Sequence, residues 1–591
     1  MGQIDSHTRA GWAGPKCWAI SAAVGAILGF VLALAVPPSP AATGSGHARS
    51  SAPAAGEPLA PVVIQINPDG TRLHRRVDGS TSPVAPTTST PAHTDPARTL
   101  EEAALAAMEQ TEPASGAAPD SLHQAPPEIP LWLCAPFILL LLSIALMPFI
   151  SEKFWHAHYP DFAFGLGSLV LVYYLRAFGS FGTHAMLHVG VEYYSFIALV
   201  GGLFVASGGI LLDIRGRGTP LRNTLLLAVG AVLANLVGTT GASMLLIRPF
   251  LRMNRGRLRP LHVVFFIFIV SNCGGCLTPI GDPPLYLGFL KGVPFFWTLT
   301  NLWPMWLTVN GILLVMFLVY DRRVPLAPGP NIYDRRPAAP EDRAPVIAGL
   351  PALICLVLLV ACVFIDPLLQ RKFGIKGVPV GPTIQIILAA AAFFIAKPSI
   401  KHANQFNFGP VKEVGFLFVG IFFTMAPALE YLGSHASEVG PESPTQFYIG
   451  TGTLSAFLDN APTYLSFLQV ALGVLHLPLS PEGIQIFIAS SFEVVHAPAP
   501  GGVPGFTIHF QGQVLLEAIA LGAVFFGAMT YIGNGPNFMV KSIVDSSFRA
   551  GEEGETGEGI GVKMPSFLGF LMYSIILLLP VLILNWWLFV R

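Results

Sequence analysis

Charged side chains are scarce in this chain. Asp, Glu, Lys and Arg make up 11% of its 591 residues, whereas 52% of the residues are apolar. An ordinary globular protein has roughly 25% charged residues, and a soluble chain of this length could not cover its surface with so few. The composition therefore excludes a large water-soluble protein and predicts an all-α protein that crosses the lipid bilayer several times.

The chain also lacks the features of several common functional classes. With 33 basic and 34 acidic residues, its net charge is −1, so no overall positive field attracts nucleic acid. Six cysteines are too few for a disulfide framework. The sequence contains no nucleotide-binding P-loop, no H-E-x-x-H metalloprotease helix and no G-x-S-x-G nucleophile elbow. It therefore carries no ATP-driven motor of its own, and we expect no cofactor.

The N-terminal part differs from the rest of the chain. An apolar run within residues 1–38 follows Arg9 and Lys16 and fits either a cleaved signal peptide or a signal anchor. Residues 39–128 are rich in Ala, Pro, Ser, Thr and Gly, a composition that cannot bury a core. We therefore predict a disordered tether on the outer side of the membrane, with one small strand at 62–66.

From residue 131 onward, apolar segments long enough to span a bilayer recur. Regular candidates lie at 131–150, 161–177, 192–213, 297–320, 346–365, 382–396, 413–433 and 566–590. Four more stretches are interrupted by Gly, Pro or polar residues, at 224–252, 261–290, 446–476 and 513–544. This order predicts a first transport repeat at 131–320, a cytoplasmic linker at 321–345 and a second transport repeat at 346–591.

Basic residues predict the path of two interrupted stretches. The stretch 224–252 has arginines on both flanks, namely Arg215, Arg217, Arg222, Arg252, Arg255, Arg257 and Arg259. The positive-inside rule places both flanks in the cytoplasm, so we predict a re-entrant helical hairpin with its tip at 238–241. The stretch 446–476 has no basic neighbour, and we predict a second hairpin that enters from the outside, with its tip at 459–462.

A short motif occurs in both halves of the chain. Residues 278–284 and 530–536 both follow the pattern T-x-I-G-[D/N]-x-P, each within a broken span. Together with the mirrored topology, the motif predicts two inverted-topology repeats. Each repeat would contain about five transmembrane helices, one of them broken, and a re-entrant helical hairpin.

Helix breaks predict where chemistry takes place. A break leaves backbone N–H and C=O groups unpaired, and in a bilayer such groups form ion or substrate sites near the midplane. Thr, Asn and Asp beside a break add oxygen ligands suited to Na⁺ or protons. The candidate site residues are Thr239, Thr240, Asn272, Thr278, Asp282, Asp459, Asn460, Thr463, Thr530 and Asn534.

Asp459 is the leading carboxylate. It lies at a hairpin tip beside Asn460, and Pro462 interrupts a regular helix there. It can be a group that exchanges a cation for a proton, or it can be a helix N-cap. Asp282 is the partner candidate in the first half, or else a turn-forming residue beside proline. Its counterpart Asn534 is neutral, so the two half-sites need not be chemically equal.

Other polar groups have simpler explanations. Cys273 and Cys276 form a C-G-G-C motif, for which tight packing of small residues at a break is a better explanation than a redox pair or a zinc site. Lys541 is the only basic residue near the predicted site, and we expect it to reach the cytoplasmic interface. Interfacial positions are also expected for His184, His188, Glu192, Glu413, Glu430 and Glu517.

Residues 454–463 resemble the S-x-x-x-D-N-x-P hairpin of the ion-transporter superfamily, which includes arsenite pumps, citrate and dicarboxylate carriers and NhaD-type sodium/proton antiporters. The tip at 238–241, followed by Arg248 and Pro249, is most similar to the NhaD-type branch. The resemblance covers about residues 131–591. It implies a two-unit inverted-repeat fold, often dimeric, in which hairpins and broken helices meet at the transport site. The motif match implies the site residues Thr239, Thr240, Asp459, Asn460, Asn272, Thr278, Thr530 and Asn534.

The leading hypothesis is a secondary transporter of the bacterial cytoplasmic (inner) membrane, a homodimer by resemblance, that exchanges Na⁺ (or Li⁺) for H⁺. Asp459 cannot hold a cation and a proton at once, so their binding would alternate. The alternative is a Na⁺- or H⁺-coupled carrier of citrate-like carboxylates or another oxyanion, which would favour a basic residue in the site. An enzyme that uses the cysteine pair and a membrane subunit of a partner ATPase are further alternatives.

Overall fold

The structure, a computed structural model, describes residues 21–23, 25–26, 62–66, 72–75, 81–83, 128–214, 218–325, 346–374, 377–404, 406–439, 443–496, 506–552 and 562–591. Within these residues, nine helical segments are long and apolar enough to cross a membrane. The predicted all-α polytopic membrane fold is thereby confirmed. Most of the linker at 321–345 lies outside the described residues.

In the part of the first half that the structure describes, seven helices follow a 3₁₀ turn at Leu131–Cys134. They are α1 (Ala135–Ile150), α2 (Glu152–Ala177), α3 (Gly179–Gly208), α4 (Pro220–Met253), α5 (Pro260–Ile269), α6 (Pro283–Leu290) and α7 (Trp297–Arg323). Pro220, Pro260 and Pro283 each occupy the first helical position, where a missing N–H breaks no helical hydrogen bond. Proline thus marks the start of α4, α5 and α6, the helices that contain or adjoin the predicted site residues of the first half.

The described residues of the second half form twelve helices, two pairs of which are joined by a 3₁₀ turn at Cys362–Phe364 and a π turn at Ser574–Leu578. They are α8 (Leu350–Ala361), α9 (Ile365–Phe373), α10 (Val380–Ile395), α11 (Pro398–Ala403), α12 (Gly409–Val439), α13 (Pro444–Phe457), α14 (Asn460–Val474), α15 (Pro481–Ala489), α16 (Gly512–Phe526), α17 (Gly535–Glu552), α18 (Phe567–Tyr573) and α19 (Leu579–Phe589). Each predicted regular span contains a helix, but 192–213 ends in a strand at Leu211–Asp213 and 346–365 begins with a strand at Val346–Ala348.

Helix α4 is folded back on itself, and we call it hairpin 1. Gly238 has φ 77° and ψ 154°, which breaks the helix in the middle. The amide of Gly218 donates to the carbonyl of Met253 at 2.7 Å, so the chain enters and leaves at the same end. Asn223 and Asn254 also donate to each other across this end, at 2.7 and 3.0 Å. The hairpin shape predicted from the flanking arginines is confirmed.

Helices α13 and α14 form hairpin 2, which turns at Leu458 and Asp459. The ring of Phe467 in α14 packs against Gly450 in α13, so the two arms run side by side. The Ser443 hydroxyl accepts a hydrogen bond from the backbone amide of Gln446 at 3.3 Å, and the side-chain oxygen of Gln446 accepts one from the backbone amide of Ser443 at 3.1 Å. This capping box sets the start of α13.

Each half also contains one broken helix. Broken helix 1 consists of α5, a 3₁₀ turn at Cys273–Leu277 and α6; broken helix 2 consists of α16, a 3₁₀ turn at Gly527–Met529 and α17. The order hairpin, broken helix, last span therefore recurs in both halves. Their inverted orientation in the membrane stays a prediction.

The described residues also form a five-stranded antiparallel sheet. The N-terminal segment contributes β1 (Val62–Ile66), β2 (Arg72–Arg75) and β3 (Thr81–Pro83), and the chain between α15 and α16 contributes β6 (Ser491–His496) and β7 (Phe506–Gln511). The strand order is β3-β2-β1-β6-β7. A separate pair, β4 (Leu211–Asp213) and β5 (Val346–Ala348), connects the end of α3 to the start of the second half.

The sheet corrects the prediction for the tether. The strand at 62–66 is confirmed, but residues 72–75 and 81–83 are strands as well and are not disordered. Composition averaged over the tether could not show this, because β1 pairs with β6 from the far end of the chain. Apart from these three strands, residues 39–127 lie outside the described residues. The same is true of residues 1–38 except 21–23 and 25–26.

Candidate functional site

The tip of hairpin 1 is bonded to the break in broken helix 1. The amide of Thr239 donates to the carbonyl of Gly281 at 2.8 Å. The hydroxyl of Thr278 donates to the carbonyl of Asn235 at 2.6 Å and accepts from the amide of Gly281 at 3.1 Å. Thr278 therefore joins the hairpin arm, three residues before Gly238, to the turn that leads into α6.

The second half repeats this arrangement. The hydroxyl of Thr530 donates to the carbonyl of Ala456 at 2.5 Å and accepts from the amide of Gly533 at 3.1 Å. Ala456 lies three residues before Asp459, the tip of hairpin 2. The shared T-x-I-G motif therefore has the same local function in both halves, which is to fasten a hairpin tip to a helix break.

Asp282 lies at the centre of the site, with 1% of its surface exposed. Its Oδ1 accepts from the Thr239 hydroxyl and the Asn534 amide, both at 2.9 Å. Its Oδ2 accepts from the Asn460 amide at 2.7 Å. Although Asp282 occupies the N-cap position of α6, its side chain makes no capping bond. The carboxylate thus joins both hairpins and both broken helices.

Three asparagines connect the two broken helices behind Asp282. Asn534 donates to the side-chain oxygen of Asn272 at 3.1 Å, and Asn272 donates to that of Asn537 at 2.6 Å. Asn537 in turn donates to the carbonyls of Gly527 and Thr530, at 2.8 and 2.9 Å. Asn537 was missed by the sequence analysis, and it satisfies two carbonyls that the second break leaves unpaired.

Asp459 has a different environment from Asp282. It is the N-cap of α14, and its Oδ1 accepts from the amide of Ala461 at 3.0 Å. Its side chain is only partly buried. The next residue, Asn460, bonds to Asp282, so the two carboxylates belong to one site. The hydroxyl of Thr463 donates to the carbonyl of Asp459 at 2.8 Å and thus stabilises the tip.

A small cavity of about 20 Å³ lies beside Asp282, about enough room for one water-sized particle. One wall consists of residues 238–241 and 279–283, and it includes Thr240. The other wall is apolar and comes from α3, with Leu199, Val200, Leu203 and Phe204. The cavity therefore has a polar wall, formed by the tip of hairpin 1 and the break in broken helix 1, and an apolar wall formed by α3.

Some polar residues lie apart from this site. Lys541 pairs with Asp545 at 2.8 Å and lies 5.6 Å from the ring centre of Tyr531. Cys273 and Cys276 are buried free thiols. Within the described part of the chain, no three His, Cys, Asp or Glu residues are grouped closely enough to hold a resident metal ion.

The expected interfacial residues mostly form local pairs. Glu192 bonds to Lys291 at 2.5 Å and lies 3.4 Å from His188. Glu430 accepts a hydrogen bond from the Tyr174 hydroxyl at 3.0 Å. These contacts join transmembrane helices away from Asp282 and add no group to the site.

Comparison with known proteins places the chain in a family. No curated protein matches the sequence. Residues 126–590 match the family described as "Putative citrate transport", which covers well over half of the chain and includes both hairpins and both broken helices. The match agrees with the resemblance to the ion-transporter superfamily, although it does not single out the NhaD-type branch. The chain belongs to this family, and the protein is an integral membrane transporter.

Proposed function

We propose that the protein exchanges Na⁺ (or Li⁺) for H⁺ across the cytoplasmic membrane, with Asp282 and Asp459 as the exchanging carboxylates. The observation that carries this proposal is the environment of Asp282. The carboxylate is buried, and its hydrogen-bond donors are one hydroxyl and two amides. Neutral donors do not balance a negative charge, and a buried charge is costly unless it is paired. A proton or a small cation supplies the missing charge.

The same side chains supply cation ligands. The Oδ1 of Asn460 is buried without a hydrogen-bond partner, although its Nδ2 donates to Asp282. Carboxylate and amide oxygens are the ligands that hard cations prefer. Asp282, Asn460 and Asp459 therefore offer oxygens to one ion, and protonation of the carboxylates releases it. This competition couples outward Na⁺ movement to inward H⁺ movement.

A cation-coupled carrier of citrate-like carboxylates is the second candidate. The family description favours it, and so does the arrangement of helix starts. The second arm of hairpin 1, α6, α14 and α17 all begin at the site, after residues 238, 282, 459 and 534. Helix N-termini carry partial positive charge and favour anions. In this case Asp282 would hold the coupling cation, and the helix starts would hold the anion.

Reconstitution of the purified protein tests both candidates. Vesicles are prepared with an acidic interior, and internal pH is followed while Na⁺, Li⁺, K⁺ or labelled citrate is added outside. Antiport predicts that Na⁺ collapses the gradient in the wild type but not in Asp282→Asn or Asp459→Asn. Asp545→Asn removes a carboxylate paired with Lys541 away from the site and should behave as wild type. Citrate accumulation that requires Na⁺, without Na⁺-driven proton movement, would establish the second candidate.

A further inference from the structure

Part of the apolar run near the N-terminus lies against α2. This run, which we call the N-terminal run, covers residues 18–36 and contains no charged side chain. Within it, the structure describes residues 21–23 and 25–26, all of which are helical. In the sequence the run fits either a cleaved signal peptide or a signal anchor, and its contacts with α2 favour the signal anchor.

Two side-chain hydrogen bonds join the N-terminal run to α2. The hydroxyl of Ser21 donates to Oδ1 of Asp161 at 3.1 Å. The hydroxyl of Ser168 donates to the carbonyl of Ala22 at 2.7 Å. Hydrogen bonds between helices help to hold helix pairs together inside a bilayer, where no water competes for the polar groups. The two bonds therefore indicate a specific contact between these helices.

Small residues bring the two backbones close together. A Cβ atom added to Gly25 would lie 1.9 Å from the carbonyl oxygen of Gly165, so the contact requires glycine at this position. A Cβ atom added to Gly165 would lie 3.4 Å from the carbonyl oxygen of Ser21. Ser21 and Gly25 are four residues apart, which is the small-xxx-small spacing typical of closely packed membrane helices.

The N-terminal run and α2 point in the same direction. Ser21 lies beside Asp161. Four residues later in both helices, Gly25 lies beside Gly165, so the two helices are parallel. The basic residues before the run place its start in the cytoplasm. The predicted topology also starts α2 there, because α3 returns to the basic flank of hairpin 1. The packing direction therefore agrees with the predicted topology.

The face of α2 that carries Asp161 needs a protein neighbour. Asp161 lies about 14 Å along α2 from its first residue, and ionisable residues within membrane helices almost always face protein. Its side chain is 17% exposed and lies 2.8 Å from Nδ1 of His158. Another face of α2 packs on α12, where Gly167 contacts Gly420. Removal of the N-terminal run would leave the Asp161 face without the contacts described above.

We propose that the N-terminal run is a signal anchor that stays in the mature protein and crosses the membrane beside α2. Its 19 residues are enough to span a bilayer, whereas the apolar part of a signal peptide has roughly 7–15 residues. The chain that links the run to β1 is then held at both ends, by α2 in the membrane and by β6 in the sheet. The proposal does not depend on which ion is transported.

The intact mass of the protein, purified through a C-terminal tag, tests whether the run is retained. The complete chain has a mass of 63.1 kDa. The purified protein should have this mass plus that of the tag, with or without the initiator methionine. A protein that lacks residues 1–36 contradicts the proposal, because the run would then have been removed as a signal peptide.

An engineered disulfide tests the contact with α2. The Cβ atom of Ser21 lies 3.8 Å from the Cβ position of Gly165, a separation typical of disulfides. Ser21→Cys with Gly165→Cys, in a Cys17→Ser background, should therefore form a disulfide in membranes. A protease site inserted within residues 99–110 separates the run from α2 after cleavage. A denaturing gel should then show one band without reductant and two bands with it.

Ala23 provides the matched control because it is exposed and lies on another side of the helix. Ala23→Cys with Gly165→Cys should give two bands with and without reductant. Two bands without reductant in the Ser21 variant, or one band in the Ala23 variant, would overturn the proposal. If Gly165→Cys prevents folding, Ala22→Cys with Ser168→Cys replaces the test pair, since their contacting atoms are 2.7 Å apart.

Gly25→Leu tests whether the two helices pack closely. The leucine side chain would collide with the carbonyl of Gly165, but it keeps the run apolar, so insertion into the membrane is not weakened. Added to the Ser21→Cys and Gly165→Cys pair, it should lower the disulfide yield by at least about fivefold because the helices must move apart. Ala23→Leu should leave the yield unchanged. Equal yields in the two leucine variants contradict the proposal.

Discussion

Replacement of Asp282 by Asn removes the negative charge from the candidate site but keeps the shape of the side chain. An asparagine oxygen at this position still accepts from Thr239 and Asn534, which both bond to one oxygen of Asp282. The new amide nitrogen would face the Asn460 nitrogen. Asn460, however, has a side-chain oxygen without a partner, and rotation of its amide brings that oxygen to the new donor. We therefore expect Asp282→Asn to fold.

The expected loss of Na⁺ affinity is large. Removal of one partner from a buried ion pair costs about 3–5 kcal/mol, and each 1.4 kcal/mol is a factor of about ten in affinity. The external Na⁺ concentration that gives half-maximal gradient collapse should therefore rise at least about a hundredfold. Only the charge changes, so the protein's thermal unfolding temperature should stay near that of the wild type.

The assay is a Na⁺ titration of acid-loaded vesicles that contain equal amounts of wild type, Asp282→Asn or the matched control Asp545→Asn. A half-maximal Na⁺ concentration within threefold of wild type in a folded Asp282→Asn protein would refute the reasoning, because the buried carboxylate would then not bind the transported cation. If Asp459→Asn alone abolishes exchange, the partly buried tip carboxylate acts by itself.

Three further predictions concern pH, the first hairpin tip and the cysteine pair. Because protons compete with Na⁺ for the same carboxylates, the half-maximal Na⁺ concentration should rise as pH falls, by up to about tenfold per pH unit for each carboxylate that must lose its proton; a value that does not change with pH contradicts competition. Gly238→Ala should destabilise the protein by about 1–3 kcal/mol, because φ 77° and ψ 154° lie in a region that is essentially restricted to glycine. Gly311→Ala, at an open helical position, is its control in thermal unfolding. Replacement of Cys273 and Cys276 by Ala should leave vesicle transport unchanged, and its loss would support a redox role.

Much of the architecture is predictable because it depends on local signals. Arginines on both flanks of 224–252 gave the first hairpin, and Gly, Pro and polar interruptions gave the two broken helices. The repeated T-x-I-G motif identified Thr278 and Thr530 as equivalent, and the structure shows the same two bonds at each. Such features are visible in the sequence because the residues that interrupt a helix lie at the interruption itself.

The relative importance of the site residues was not predictable in the same way. Asp459 is conspicuous in the sequence because it lies at a hairpin tip, whereas Asp282 is central only because three other elements converge on it. Asn537 lies in the first turn of α17, one residue beyond the repeated motif at 530–536, and only the structure shows that it bonds to the break. Arg257 and Asp321 resemble ordinary charges at membrane boundaries, and only tertiary contacts show that they are paired and buried.

The sheet that joins the N-terminal segment to β6 has a consequence for how the protein is made. Val63 pairs with Val494, so the two partners are more than 400 residues apart in the chain. During synthesis from the N-terminus, β1 emerges first and must wait until nearly all transmembrane segments are inserted before β6 is available. Pairings between such distant residues form slowly, and unpaired strand edges invite association with other chains. Closure of this sheet is therefore a late step of biogenesis, and until then β1 remains exposed to competing strands.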